Sequence, residues 1–178
     1  MIRIMLSFTK SQTIEMKVIS ILQPWASLVA LGHKRIETRS WNTKYRGELL
    51  IHASKRMLDM FEQKEFWERL YGEVNFDTYK ELASMPRFEE LPYGSIIGKV
   101  NLIDTCTTEE AKTRLYYKEY SQNHSREQEL AFGDYSPTRF GWLLSDPILF
   151  KEPIPCKGRL GIWNLPKELE SLIINQNK

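Results

Sequence analysis

The sequence predicts an α+β protein built on a small β-barrel with flanking helices. Short runs rich in β-branched residues alternate irregularly with helical patterns, without the strand–helix–strand repeat of a parallel sheet. Several of these runs contain glycines or prolines suited to sharp curvature, which favours a curved sheet. A chain of 178 residues is long enough for one good core and short for two. We therefore expect a single domain.

The first third of the chain is predicted to contain three strands and one helix. Residues 17–22 form a β-branched strand, and Pro24 opens a helix that Gly32 stops. The pattern is extended over residues 33–41. A turn-prone loop follows, and it leads into a strand at residues 48–53.

The rest of the chain is predicted from caps, periodicity and turn residues. The expected elements are a helix from Ser54 to Leu70, a short helix at 75–83, a long strand at 94–103, a helix from Thr107 to about Tyr120, a loop at 121–138, three short strands between 139 and 163, and a helix opened by Pro166.

We assign the single domain to residues 16–168. Residues 1–15 are interpreted as an N-terminal extension, because Met16 is followed directly by the first strand. Residues 169–178 are interpreted as a C-terminal tail. The start of the chain has an apolar run too short for a membrane span, so we expect no membrane association.

Charge is concentrated in one stretch. Between residues 33 and 56 there are seven basic residues and two acids, a local balance of +5 in a chain whose total is +2. The basic residues are Lys34, Arg35, Arg39, Lys44, Arg46, Lys55 and Arg56. Aromatic side chains lie among them, a combination typical of proteins that contact phosphates and stack on bases. RNA or another nucleic acid, or a nucleoside-like small molecule, is the expected partner.

Individual residues of this stretch have separate predicted roles. Arg39 is best suited to hold a phosphate or a base edge, because its guanidinium gives two directed bonds. Trp41, Lys44, Tyr45 and Arg46 are predicted to contact nucleic acid, the last three from a loop that a single strand can pass. Each also has a plainer interpretation, as core or solvated surface.

Strand geometry sets a condition on Lys34 and Glu37. In a regular strand Arg35, Glu37 and Arg39 share one face and Lys34 points to the other. Lys34 and Glu37 can act together only if the strand begins after Lys34 or contains a bulge. If they do meet, they are candidates for acid–base chemistry, and Lys99 and Asp104 are candidates for a remote partner.

Neither a metal nor a cofactor is expected. Cys106 and Cys156 lack metal-ligand spacing and are interpreted as reduced thiols in a cytoplasmic protein. His33, His52 and His124 are too scattered for a zinc site. The sequence leaves the oligomeric state open.

Several motifs resemble the ASCH family (activating signal cointegrator homology). They are V-I-S-I-L-Q-P-W-A-S-L-V-A-L-G-H-K-R-I-E-T-R-S-W, then Y-R-G-E-L-L-I-H-A-S, G-x-I-I-G-K-V and P-x-P-C-K-G-R-L-G-I-W. The resemblance spans roughly residues 17–166. It implies a PUA-like β-barrel with a cleft lined by Lys34, Glu37 and Arg39. Members are linked to RNA or DNA: some only bind, at least one is described as a ribonuclease, and a bacterial branch deacylates N4-acetylcytidine.

The chain departs from that deacylating branch. There a threonine stands three positions after the lysine, whereas this chain has Glu37 at that position and Thr38 one residue later. Three hypotheses remain open: an RNA-binding module, a hydrolase of RNA or of an acylated nucleoside that uses Lys34 and Glu37, and a protein-interaction domain. The sequence does not settle whether the protein is an enzyme.

Overall fold

The computed structural model describes residues 15–70, 80, 85–115 and 126–176. The strands are β1 (Lys17–Ile21), β2 (Ile36–Arg39), β3 (Gly47–Ala53), β4 (Ser95–Thr107), β5 (Phe140–Pro155) and β6 (Ile162–Asn164). The α-helices of these ranges are α1 (Trp25–Leu31), α2 (Met60–Leu70), α3 (Thr108–Arg114), α4 (Arg126–Ala131) and α5 (Glu170–Asn175). Residues 1–14, most of the helix predicted at 75–83 and residues 116–125 lie outside the described ranges.

The six strands form one mixed sheet in the order β2-β5-β4-β3-β1-β6. The β1–β3 pair is parallel and the other pairs are antiparallel. Since β2 and β6 end the sheet without pairing with each other, the predicted barrel closure is wrong. The curvature signals are real, because the β4–β5 register shifts at three places. Closure needs pairing between edge strands, which a local pattern does not encode.

The last third of the chain is predicted to contain three short strands, but the first two are one continuous strand, β5. Ser145, Asp146 and Pro147 do not reverse the chain, and β5 runs through them for 16 residues. Asp146 instead takes a positive φ of 49° at an irregularity. The prolines of β5 are tolerated because only residues 140–143 also pair with β2, which leaves the far edge of the remainder unpaired.

The sheet buries side chains on both faces, since successive residues of a strand alternate between them. One face packs on α1 and contains Ile19, Ile21, Leu49, Ile51 and Trp142 among others. The opposite face contributes Val18, Leu50, Phe150 and Trp163 to a second core cluster, which Ile173 joins. Ile173 lies in α5 and is fully buried, so residues 170–175 pack on the sheet although the sequence suggests a fraying tail.

Helix α2 begins later than predicted. Asp59, rather than Ser54, accepts from the backbone amides of Phe61 and Glu62 at 2.9 Å. This start turns Phe66 and Leu70 toward the core and leaves Phe61 exposed.

Two helices follow β4. The capping box of Thr107 and Glu110 is confirmed at the start of α3, with the Thr107 hydroxyl accepting from the Glu110 amide at 3.2 Å. By contrast, α4 lies where a loop is predicted. This helix matters for the site because it carries a buried carboxylate.

Candidate functional site

The strand begins after Lys34, which is one of the two conditions under which Lys34 and Glu37 can act together. Gly32 ends α1 in the left-handed conformation with φ of 82°, and the Lys34 amide donates to the Leu28 carbonyl at 3.1 Å. Regular pairing begins only at Ile36. Lys34 therefore lies before the strand, and its ammonium lies 3.5 Å from the Glu37 carboxylate.

Lys34 is enclosed rather than presented to a ligand. The residue is 2 % exposed, and its Nζ also donates to the Ile36 carbonyl. A buried ammonium must be compensated by nearby oxygens, and these two partners supply that compensation. Lys34 acts by positioning Glu37 from behind.

Glu37 and Arg39 form the part of the same network that lines a surface cleft. Arg39 Nε lies 3.1 Å from Glu37 Oε1, and the guanidinium donates from Nη2 to the Ser20 carbonyl at 2.9 Å. Glu37 thus lies between two cations. Its oxygens and the Arg39 nitrogens present an acceptor beside a donor at the end of β1.

Glu129 on α4 holds the beginning of β2 in place. Its two carboxylate oxygens accept the backbone amides of Arg35 and Ile36, both at 2.9 Å, and Glu129 is 1 % exposed. Gln128 next to it donates to the His33 carbonyl at 3.2 Å. Neither residue is predicted from the sequence, since their partners lie more than 90 positions away along the chain.

Glu37 and Arg39 line a cleft of about 220 Å³. Its walls come from the end of β1, from α1, from β2, from α2 and from the segment after α4. The lining residues are Ile21, Leu22, Trp25, Glu37, Thr38, Arg39, Arg69, Phe132, Gly133, Asp134 and Arg139. Three arginines and two acids share this small volume with an indole.

Thr38 and Asp134 complete one wall. The Thr38 hydroxyl accepts from the Asp134 amide at 3.1 Å, and Arg139 donates to the Thr38 carbonyl at 3.2 Å. Hydrogen bonds from Ser136 and then the nearby Arg139 hold the pKa of Asp134 below its usual range. The Thr38 oxygen is thus already engaged with the backbone.

The other predicted nucleic-acid contacts lie outside the cleft lining. Trp41 packs edge-on against Trp142, with ring centroids 4.7 Å apart. The Tyr45 hydroxyl donates to the Glu48 carbonyl at 2.5 Å, while Lys44 is exposed. Their roles in binding stay predictions.

Asp104 and Lys99 do not join the Lys34–Glu37 pair. Asp104 is bound by Arg46 at 3.0 Å and by Arg114 at 2.7 Å, and the Arg114 hydrogen bond is the main cause of its lowered pKa. Lys99 pairs with Glu48 at 2.6 Å. Both residues stabilise the surface of β4 instead.

His52 is a buried wall residue on the sheet face opposite α1. It is 1 % exposed, and its Nε2 lies 3.0 Å from the Cys156 carbonyl. Because a carbonyl only accepts, Nε2 carries the proton of the neutral ring. Burial lowers the pKa of His52, which favours the neutral imidazole in the folded protein.

Acidification is expected to reduce stability through His52. A histidine whose folded pKa lies below the unfolded value of about 6.5 contributes its full stabilisation above that pH and loses it as the pH falls toward the folded pKa. His52→Gln keeps an amide donor for the Cys156 carbonyl but does not titrate. Thermal unfolding midpoints measured from pH 7.5 to 5 should fall less steeply in His52→Gln than in the wild type. Parallel curves would contradict this role.

Cys106 and Cys156 are both unpaired, and burial is the main cause of their raised pKa values. Across the described ranges, no three His, Cys, Asp or Glu side chains cluster as metal ligands. The helices of the described residues are all too short or too polar to span a membrane.

The fold and the cleft together define an α+β, PUA-like domain with an open mixed sheet and an arginine-rich cleft at the end of β1. The model of the ASCH domain family matches residues 19–149, which is most of the chain, and the protein belongs to this family.

Two curated relatives carry the same name, activating signal cointegrator 1. The human protein is 30% identical over 168 residues and the mouse protein 29% identical over 168 residues. In both cases the match covers 90% of this chain and 25% of the relative. The chain therefore spans about a quarter of the length of these relatives.

Solved structures of ASCH from Zymomonas mobilis share the fold. The crystal structure of that protein matches with a TM-score of 0.50 and 14% identity, covering 90% of this chain and 94% of the other. A tyrosine-to-phenylalanine mutant of the same bacterial protein matches with a TM-score of 0.50 and 15% identity, covering 90% and 97%. At this identity the likeness concerns the fold alone.

Proposed function

We propose that this protein binds single-stranded nucleic acid, with RNA as the preferred ligand, and holds one base or nucleotide in the cleft at Glu37 and Arg39. The observation that carries the proposal is the pair itself, a carboxylate and a guanidinium 3.1 Å apart in the cleft lining. The basic stretch from residue 33 to 56 supports the same class of partner. So does membership of a family associated with nucleic acids.

The chemistry of the pair suits the edge of a base. A carboxylate accepts from an exocyclic amine or ring N–H, and a guanidinium donates to a ring nitrogen or carbonyl oxygen. Every base carries a donor beside an acceptor on its pairing edge. The pair therefore orients a base, while the choice among bases depends on the rest of the wall.

The size of the cleft favours an unpaired base. Its volume of about 220 Å³ is too small to admit a duplex. Trp25 supplies an aromatic wall and packs edge-on to Phe66 with ring centroids 5.6 Å apart. Sequence-specific RNA recognition commonly uses such splayed bases on aromatic surfaces.

Positive charge beside the base is expected to contact phosphate. Arg69 and Arg139 lie in the cleft lining, and both side chains reach solvent. Lys44 adds an exposed cation on the loop before β3. We propose that the cleft arginines neutralise the phosphates that flank the bound base and that Lys44 contacts the strand further along.

Arg39→Ala is expected to weaken binding of a fluorescein-labelled single-stranded RNA by about tenfold, because one good bidentate contact contributes roughly 1–3 kcal/mol. Arg39→Lys keeps the charge but loses the fork, so its affinity should fall between those of the wild type and Arg39→Ala. Fluorescence anisotropy at fixed salt measures the affinities.

Lys167→Ala is the matched control, because it removes one charge from an exposed position outside the cleft. The Arg39 effect must exceed the control effect. Equal affinities for wild type, Arg39→Ala and Lys167→Ala would contradict the proposed site, and absence of binding by the wild type would contradict the function.

The hydrolase hypothesis draws on the same carboxylate. Glu37 lines the cleft, but Lys34 is buried behind it and does not line the cleft, so of the proposed acid–base pair only Glu37 can reach a substrate. Incubating the protein with RNA and with acylated nucleosides, beside Glu37→Gln, tests this hypothesis. Products that form with the wild type and disappear with Glu37→Gln would establish a reaction, whereas no product from either substrate leaves binding alone.

A further inference from the structure

A second depression of the described surface is separate from the cleft. It has a volume of about 910 Å³, against about 220 Å³ for the cleft. It lies where β1 and β3 end and β5 leaves the sheet, and the segment of residues 156–160 forms one side. We call it the basic groove.

The charge of the basic groove has one sign. Its lining includes Lys55, Lys157 and Arg159, all exposed, and none of its described lining residues is Asp or Glu. The cleft, by contrast, mixes arginines with two acids. Because the charged side chains of the lining are all cations, the groove favours an anionic ligand, and phosphate groups are the anions of a nucleic-acid strand.

The groove and the cleft are neighbours on opposite faces of one strand end. Ser20 lines the groove and Ile21, the next residue of β1, lines the cleft. Adjacent side chains of a strand point to opposite faces, and adjacent residues are about 3.3 Å apart. A ligand that leaves the cleft over the end of β1 therefore enters the groove directly.

Direct contacts connect the two sites at Ser20. Arg39 donates to the Ser20 carbonyl at 2.9 Å, and the Ser20 hydroxyl donates to the Arg159 carbonyl at 3.0 Å. The guanidinium of Arg39 thus stands at the boundary. Arg39 lines the cleft, and Ser20, whose carbonyl it binds, lines the groove.

The groove wall is built into the fold. The Cys156 amide donates to the Gly94 carbonyl at 2.9 Å, and the buried His52 binds the Cys156 carbonyl. Gly158 lies directly on the His52 ring, since an added Cβ would stand 2.5 Å from His52 Cε1. This close packing fixes the backbone between Lys157 and Arg159, so the positions from which both side chains extend are fixed.

Two residues of the groove lining carry a polar atom that has no hydrogen-bond partner among the described residues. Within the described ranges, His52 Nδ1 and the Tyr93 hydroxyl are buried without a hydrogen-bond partner. Buried polar groups are normally satisfied, so each exception calls for an explanation such as a ligand. Both residues line the groove.

We infer that the basic groove binds the phosphate backbone of the same RNA strand whose base occupies the cleft, with Lys55, Lys157 and Arg159 as the phosphate contacts. The inference rests on the proposed function and extends it, because it gives the strand a path across the end of β1. It also assigns a purpose to the C-K-G-R sequence after β5, which the cleft does not use.

The test compares Lys157→Ala/Arg159→Ala with Lys64→Ala/Lys151→Ala, which removes the same charge from exposed positions outside both sites. Binding of a labelled 12-nucleotide single-stranded RNA is measured by anisotropy from 50 to 200 mM salt, with Arg39→Ala in parallel. Thermal unfolding midpoints of all variants establish that they fold.

The groove variant is expected to bind about tenfold more weakly than the wild type at 50 mM salt. Its log–log salt slope should decrease by about 1.4, since each phosphate contact on a single strand contributes about 0.7. The matched control should keep both affinity and slope close to the wild type.

The possible failures are distinguishable. If the groove variant binds as the matched control does while Arg39→Ala loses affinity, the groove inference is overturned and the cleft stands. If the wild type does not bind the RNA at all, the proposed function fails and the groove inference fails with it. If the groove variant is unfolded at the assay temperature, Lys157→Gln/Arg159→Gln replaces it under the same criteria.

Discussion

Replacing Glu37 with alanine is expected to lower the free energy of unfolding by about 3 kcal/mol, because the change leaves the Lys34 ammonium buried without its carboxylate. Lys34 is 2 % exposed and its Nζ lies 3.5 Å from Glu37. Removing one partner of a buried ion pair costs roughly 3–5 kcal/mol, and the partial exposure of Glu37 favours the lower end. Urea denaturation measures the loss.

The double variant separates the pair from simple loss of packing. In Lys34→Met/Glu37→Ala an apolar side chain of similar length fills the Lys34 site, so no buried charge remains unpaired. We expect this variant to be more stable than Glu37→Ala alone. If Glu37→Ala lost less than about 1 kcal/mol, the pair would be no stronger than an exposed one and its positioning role would be rejected.

Glu129→Ala is expected to have an effect of similar size at a position far from Glu37 in sequence. The substitution removes the acceptor for two backbone amides, and hydrogen bonds to a charged group contribute roughly 1.5–3 kcal/mol each. Those amides belong to Arg35 and Ile36, where β2 begins. The free energy of unfolding should fall by about 3 kcal/mol in urea denaturation.

Glu127→Ala is the matched control, since Glu127 is exposed on the same helix and the change has the same helix propensity. Hydrogen exchange adds a local readout, because the Ile36 amide should exchange faster in Glu129→Ala. RNA affinity should also fall, since β2 carries Glu37 and Arg39. Equal stabilities of the two variants would contradict the anchoring role.

Much of the site follows from local rules. The glycine stop after α1 is confirmed. Of the two conditions under which Lys34 and Glu37 could meet, a strand that begins after Lys34 is the one observed. Each depends on residues within a few positions, where backbone conformation and side-chain direction are set by short-range sterics. The order of motifs was sufficient to identify the family as well.

The features that the sequence does not predict depend on contacts between distant segments. Glu129 reaches Ile36 across 93 positions, and α4 is too short for a periodic signal. The course of β5 through Pro147 depends on its pairing with β4, and the absence of barrel closure depends on where the two edge strands end. None of these contacts leaves a trace in a local window.

The sequence by itself therefore determined the family, through the order of its motifs, and the α+β class, and it set the local condition under which Lys34 and Glu37 could meet. Only the tertiary structure decided that the sheet stays open, that Glu129 anchors β2, and that a groove with cationic side chains at residues 156–160 lies next to the cleft. Those features depend on segments brought together by packing and hydrogen bonding. The contacts that hold these segments together form only when the chain folds.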